Sequence, residues 1–410
     1  MRKLFAATLI ALAVLTGCEK HELGYHITDN SVESTTVIIY AEAFNNLSSD
    51  IKLNIETTFS GSIPQAGSKK HLLVYSRCSL TDSDSTPVEG YLVEAYRDET
   101  GTVKVDTLLR VSPQESSVDP AVMRRVLTKA AQAAPADHYG LLLSSHGSGW
   151  LPKNYIKYGD SALDFSYTLP SKSFGSEGYG LKGWTDDQME ISMSELAGAI
   201  PMHLDWIVFD ACFMGCVEVF YDLRNVADLI SAAPTEILTT GFDYNSLASY
   251  LLADGASVIQ FSDAYYQSYL NKIRGDQYNC ATITVVDCSA LEGLAETCRG
   301  LFQKYSAQIA ALGELSGIQP YFRNPSSIKY RYFYDLADII RHAGADEADM
   351  KKLDDALGRC IPYKAATDSF LDLKIKTYSG LSMFLPSTGS DRLRDYYKSL
   401  DWNVATGLVK

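Results

Sequence analysis

Two segments of the chain end an apolar run in residues able to do chemistry. "YGLLLSSHGSGW" (139–150) sets His146 beside Gly147, and "DWIVFDACFMGC" (205–216) sets Cys212 two residues after Asp210. A thiol is a weak nucleophile until it ionises, and an imidazolium beside it stabilises the thiolate. The pair suits covalent attack on a carbonyl, with Cys212 as nucleophile and His146 as general base. Gly147 lets the backbone come close, so its N–H can hold the oxyanion of a tetrahedral intermediate. The Cys212 N–H, at a strand-to-helix turn, is the natural second donor. Asp210 shares a face with Cys212 on an extended chain. A carboxylate beside a thiolate raises the thiol pKa, so activation is not its use. It is better placed to line the adjoining pocket and pair with a cationic substrate group. The plain alternatives are a core cysteine and a hydrogen-bonded strand-end aspartate or helix N-cap. Ser145 or Ser148 as nucleophile is a weaker reading, because the local pattern is not G-x-S-x-G.

For His146 and Cys212 to meet, their strands must be parallel neighbours ending at one edge of a sheet, where open α/β sheets gather function. The surrounding pattern provides for this. "TTVIIYAEA" (35–43) and "KKHLLVYSR" (69–77) read as strands, and "GYLVEAYR" with "VKVDTLLR" as a hairpin or edge strands. "NNLSSDIKLNIETTF" opens on cap-type residues and continues as a helix, and "DPAVMRRVLTKAAQAA" is a helix capped by Asp119 with Pro120 at its first position. "MSELAGAIP" is helical, "LDWIVFDAC" a strand, "MGCVEVFYDLRNVA" a helix and "DLISAAP" a strand. Such alternation implies an α/β fold, a three-layer α-β-α sandwich on a mostly parallel sheet with further α/β elements toward the C-terminus. "YSGLSMFLP" is a late strand that could complete this sheet or begin a small second lobe. Leu151 to Asp187 is rich in Gly, Ser, Tyr and Lys and reads as an irregular loop. His138 and His203 precede their strands, which puts them at the opposite edge, roughly 20 Å away at about 3.3 Å per residue.

The first residues decide the compartment. "MRKLFAATLIALAVLTGC" carries Arg2 and Lys3, then an apolar run with the proportions of a secretory h-region. It ends in Leu15-Thr16-Gly17-Cys18, which resembles a bacterial lipobox. We therefore expect a signal peptide (1–17), a lipidated Cys18 with a polar tether to residue 34, and a cell-envelope protein bound to a membrane through its lipid. Net charge is −14, which argues against nucleic acid as a partner. Eight cysteines less Cys18 leave seven, so at least one thiol stays free. Cys212 and Cys216 lie four apart, but no second ligand pair accompanies them and no compact calcium loop is present, so no metal and no cofactor is expected.

The His-Gly-Ser-Gly-Trp and Asp-Ala-Cys segments together resemble the two signature segments of the clostripain-like peptidases, members of the wider clan of caspase-fold cysteine proteases. "TTVIIYAEAFNNLSSDI" is similar to that family's opening strand, and "GLSMFLP" to its late strand. The resemblance covers most of 35–403 and implies one caspase-like peptidase domain that cuts after Arg or Lys through a Cys212–His146 dyad, with Asp210 as the acidic S1 residue. Its implied partners are proteins or peptides with basic residues, and a monomer is expected. Family members commonly mature by a cut between the His and Cys segments, where Lys153, Lys157, Lys172 and Lys182 offer basic sites. In "APTEILTTGFDYN", Phe242 stands where the family has Trp, and Pro234-Thr235 where it has Ser-Gln. That segment should wall the substrate cleft, with Glu236 and Asp243 as candidate second acids. The rival reading is a non-catalytic surface lipoprotein that uses the same fold to bind peptide or glycan.

Overall fold

Strands form at the expected apolar runs and also where no such run announced them. In chain order these are β1 (Thr35–Ala43), β2 (Lys70–Cys78), β3 (Gly90–Arg97), β4 (Val103–Val111), β5 (His138–Ser144), β6 (Gly147–Pro152), β7 (Lys172–Glu177), β8 (Met189–Ser192), β9 (Leu204–Asp210), β10 (Ala227–Ala232), β11 (Thr282–Asp287), β12 (Tyr334–Asp335) and β13 (Tyr363–Ala366). They belong to a computed structural model that describes residues 33–153, 155, 172–178, 189–253, 255, 257–270, 280–323 and 331–410. Cys18, Lys157 and Lys182 lie outside the described residues. Among the described residues no helix is long and apolar enough to cross a membrane.

Nine strands make one sheet in the order β13-β11-β10-β9-β5-β1-β2-β3-β4. β2, β1, β5, β9 and β10 run parallel; β3, β4, β11 and β13 join through antiparallel pairings at the flanks. The central strands are buried on both faces, which is why they read as continuous apolar runs rather than alternating ones. One face (Ile38, Tyr40, Leu141, Leu143, Ile207 and Phe209) packs under helices that include α2 (Pro120–Ala133) and Leu291–Lys304. The other face (Val37, Ile39, Leu142 and Val208) packs under Ile51 of α1 (Ser48–Ser60) and the helix Val258–Leu270. This is the expected three-layer α-β-α sandwich. Glu33–Lys410 form one unit, whose last helix, Asp401–Thr406, carries the fully buried Trp402.

Three local readings change. The stretch after His146 is not a terminal turn: Trp150 and Leu151 are fully buried, so the chain re-enters the core as β6. β6 pairs with β7, and β7 with β8, in a separate three-stranded sheet, so part of 151–187 is regular. The late strand Ser382–Met383 pairs with β12 and not with the main sheet. The edge place goes to β13, "YKAA", which is half-exposed and has no apolar run to announce it. Finally, α1 has Leu47 at its N-cap and no side-chain cap, while Asp119 caps α2 as expected by accepting the Ala121 and Val122 N–H groups.

β7 is fixed to the body by charge. Arg77 and Glu177 form an ion pair at 3.0 Å with side chains 3% and 2% exposed. Glu177 also accepts the Ser117 N–H, and the Arg77 guanidinium donates to the carbonyls of Pro113 and Glu115 while stacking on Phe44. Glu177→Ala strands a buried guanidinium and should destabilise the chain by about 3–5 kcal/mol. Urea unfolding reads this directly, and a loss below about 1 kcal/mol would mean that the pair is not what holds β7.

Candidate active site

β5 and β9 are hydrogen-bonded neighbours in parallel register, with Ser144 opposite Asp210. Two residues beyond those partners stand His146 and Cys212, at the same edge as expected. His138 and His203 stand at the other ends of their strands, engaged with Asp205 and Asp228. Gly147 closes the gap between the two turns: a Cβ there would lie 2.6 Å from the Cys212 carbonyl oxygen and 3.1 Å from the Ala211 Cβ. Only glycine lets these backbones touch. Beyond Cys212, Phe213 adopts φ 61°, a costly conformation for an aromatic residue. It is held by its N–H bond to the Thr235 carbonyl and by stacking on Phe333 at 4.8 Å. The following helix starts only at Val217, with the buried Cys216 at its N-cap. Cys212 is therefore not at a helix N-terminus, and its N–H owes nothing to a helix dipole.

His146, Gly147, Asp210, Cys212 and Glu236 line one cleft of about 250 Å³, together with Asp50 of α1. Asp210 sits on its floor, buried, accepting hydrogen bonds from Tyr244 (2.6 Å) and Ser144 (3.3 Å). Gly241, at φ +55°, passes so close that a Cβ would lie 2.7 Å from its carboxylate. Glu236 lines the cleft but is already paired with Arg323 at 2.6 Å. Asp243 is not among the lining residues; it accepts from Ser246. Glu236–Thr239 do form a wall, whereas Phe242 turns away into the core, stacked on Phe261 at 5.0 Å. The Trp-to-Phe change is thus a core substitution here. Ser145 and Ser148 are bonded to Glu42 and Ser173.

The surroundings of the ring and the sulfur reverse the expected charges. Burial pushes the His146 pKa down to about 4, so the ring is neutral at physiological pH. Burial pushes the Cys212 thiol up to about 12; the Ile237 N–H opposes the rise, and the Glu236 and Asp210 charges add to it. The sulfur accepts that N–H at 3.4 Å and its S–H faces the Ile237 carbonyl at 3.7 Å. An imidazolium-stabilised thiolate is therefore not the resting state: both partners are neutral.

Three contributors to the cleft escaped the sequence reading. Ile237 gives only backbone and leaves no mark in its residue type. Asp50 is raised by burial and by Asp82, with a Thr239 hydrogen bond opposing. Asn46 Oδ1 lies 2.8 Å from His146 Nε2. A signal for the last two was available, since β1 and β5 are parallel neighbours and the chain leaving β1 must surface beside His146. Among the described residues no cluster of His, Cys, Asp or Glu fits a metal ion, and all seven described cysteines are free thiols.

With a pKa near 12, the thiolate fraction of Cys212 is on the order of 10⁻⁵ at pH 7. Iodoacetamide labelling of the intact chain should then be slow at neutral pH and rise steadily toward high pH, as read by mass spectrometry of the 205–223 peptide. Fast labelling at pH 6 would show a depressed thiol instead.

Comparison with known proteins follows the same lines. The model of the clostripain family, peptidase C11, matches residues 173–406. Clostripain of Hathewaya histolytica is 24% identical over 248 residues, which are 56% of this chain and 44% of that protein, so the chain spans less than half of its length. An inactive zymogen C11 protease from Parabacteroides distasonis is 27% identical, with a TM-score of 0.74 over 91% of this chain and 98% of the other. A secreted C11 cysteine protease from Bacteroides thetaiotaomicron, solved with an irreversible peptide inhibitor, shares the fold at a TM-score of 0.72 and 24% identity, over 91% of this chain and 99% of the other. The chain belongs to the clostripain family of cysteine peptidases.

Proposed function

We propose that the chain is a cell-envelope cysteine endopeptidase that cuts after Arg or Lys, with Cys212 as nucleophile, His146 as base and a lipid on Cys18 as anchor. One observation carries the catalytic reading. The Gly147 backbone packs on the Cys212 carbonyl, which sets the His and Cys turns in one cleft above a buried carboxylate. In the reaction the Cys212 proton passes to the imidazole as sulfur attacks the peptide carbonyl carbon. The oxyanion is held by the Gly147 and Cys212 N–H groups. The C–N bond breaks, the amine leaves with the imidazolium proton, and a thioester remains. Water, deprotonated by His146, hydrolyses it and returns the thiol.

Asp210 selects the substrate. Its hydrogen bonds from Tyr244 and Ser144 keep it ordered on the cleft floor, where an Arg or Lys head group would find a buried counter-charge. The clamp of Ile237 on the thiol describes a resting state that must loosen before attack. The Parabacteroides distasonis relative is an inactive zymogen, and a comparable restraint fits this chain. A cut between the His and Cys segments would release it. β7 touches the His146 turn through the Gly175 N–H bond to the His146 carbonyl, so a break beside β7 can reach the site. Of the basic candidates, Lys153 is ion-paired with Glu195 and Lys172 lies in β7.

Fluorogenic peptides ending in Arg, Lys, Asp and Ala test this on the full chain, before and after limited proteolysis. Arg and Lys substrates should be cut and Cys212→Ala should be inert. Asp210→Asn should lower kcat/KM on basic substrates by roughly 10- to 100-fold while leaving other residues little changed. Equal cleavage of Ala and Arg substrates would remove Asp210 as selector. The shielded, neutral thiol favours one rival, a surface protein that binds peptide or glycan without turnover; a cut chain that binds and never hydrolyses would select it. For the anchor, palmitate labelling in a bacterial host should be lost in Cys18→Ser, and unchanged labelling would refute lipidation there.

A further inference from the structure

We propose that Asn46 is a positioning residue for His146, fixing through its amide oxygen which imidazole nitrogen carries the proton. The inference rests on His146 being the base. An amide oxygen can only accept, so at 2.8 Å from Asn46 Oδ1 the Nε2 atom must carry hydrogen. A neutral ring with Nε2–H has its lone pair on Nδ1, and Nδ1 is then the atom that takes the thiol proton. The other tautomer would present an N–H where a base is needed. Because the ring is neutral in the resting cleft, this choice decides whether His146 can act at all.

Asn46 is exposed, so it needs support, and the structure supplies it from below. Asn45 is fully buried. Its amide nitrogen donates to the Glu42 carboxyl at 3.2 Å and to Ser145 Oγ at 3.3 Å, while its amide oxygen accepts the Leu47 N–H at 2.9 Å. Ser145 in turn donates to the same Glu42 oxygen at 2.7 Å. One buried carboxyl thus ties the turn carrying Asn46 to the turn carrying His146. The strands beneath them, β1 and β5, are in parallel register with Ala41 opposite Ser144, so both turns start from a common level. A side chain that met His146 by chance would not stand on a bridge of this kind.

The full chain, labelled with ¹⁵N-histidine, gives a readout that needs no turnover. The imidazole spectrum of His146 should be that of the Nε2–H tautomer, becoming a mixture in Asn46→Ala. In turnover, Asn46→Ala should lower kcat about 10- to 100-fold with KM within about twofold. Asn46→Asp places a carboxylate on Nε2, favours the imidazolium, and should move the acidic limb of the kcat/KM profile upward by about one pH unit. A merely structural role would lower the melting temperature and leave tautomer and pH limb in place. An Nδ1–H ring in the wild type, or an Asn46→Ala spectrum identical to it, overturns the inference whether or not the chain cuts peptides. If peptides are cut, Cys212→Ala is inert and Asn46→Ala keeps wild-type kcat, the inference fails while the peptidase reading stands. If the wild type cuts nothing, that reading fails and the spectrum still decides the tautomer.

Discussion

The contact between the Gly147 backbone and the Cys212 carbonyl is where the molecule's architecture and its chemistry meet. It requires β5 and β9 to be adjacent, parallel and in register, so that each chain leaves the sheet at the same height. It requires the chain after Cys212 to turn away at once, which Phe213 does at φ 61°. It also requires the absence of a Cβ at 147, since that atom would sit 2.6 Å from the carbonyl oxygen. A strained residue costs on the order of 1–3 kcal/mol. Here the cost is offset by the Phe213–Phe333 stack and the bond to Thr235, both made by chain segments remote in sequence.

The electrostatics of the cleft follow from how far each group is buried. Burial opposes an isolated charge of either sign, so the imidazole falls to about 4 and the thiol rises to about 12. Asp210 is buried, and the hydrogen bonds from Tyr244 and Ser144 offset the cost of burying it. The site therefore combines the hydrogen-bonded Asp210 carboxylate with a neutral thiol–imidazole set, with Ile237 beside the sulfur. On the proposed reading, proton transfer from Cys212 to His146 requires a substrate or a shift of the 236–239 wall to change what surrounds them.

Beneath the site, Glu42, Asn45 and Ser145 link the β1 and β5 turns, while Arg77 and Glu177 bind β7 to the body. β7 belongs to the interval between the His and Cys segments, yet it is anchored by a buried ion pair and by the Ser176 N–H bond to Glu42. A chain cut in that interval would leave β7 attached, because these bonds do not depend on covalent continuity.

Much of this was legible in order of residues alone. Continuous apolar runs mark strands buried on both faces, and they placed β1, β5 and β9 and hence His146 and Cys212 at a common edge. Asp119 and Pro120 marked the start of α2, and glycine at 147 foretold a close approach. What stayed hidden was of two kinds. The edge strand β13 has no apolar period, because an edge strand buries only part of one face, and β7 is a buried central strand made mostly of small and polar residues, so no apolar run announces it. The state of the site was also hidden, since a pKa depends on which groups and how much water surround an atom. The sequence by itself determined which residues could do chemistry and at which end of which strands they stand, through local periodicity. Only the tertiary structure decided that Phe242 packs in the core, that Arg323 occupies Glu236, that Ile237 covers the thiol and that Asn46 meets His146. Those are contacts between residues far apart in the chain, and no local pattern encodes a distance that only folding sets.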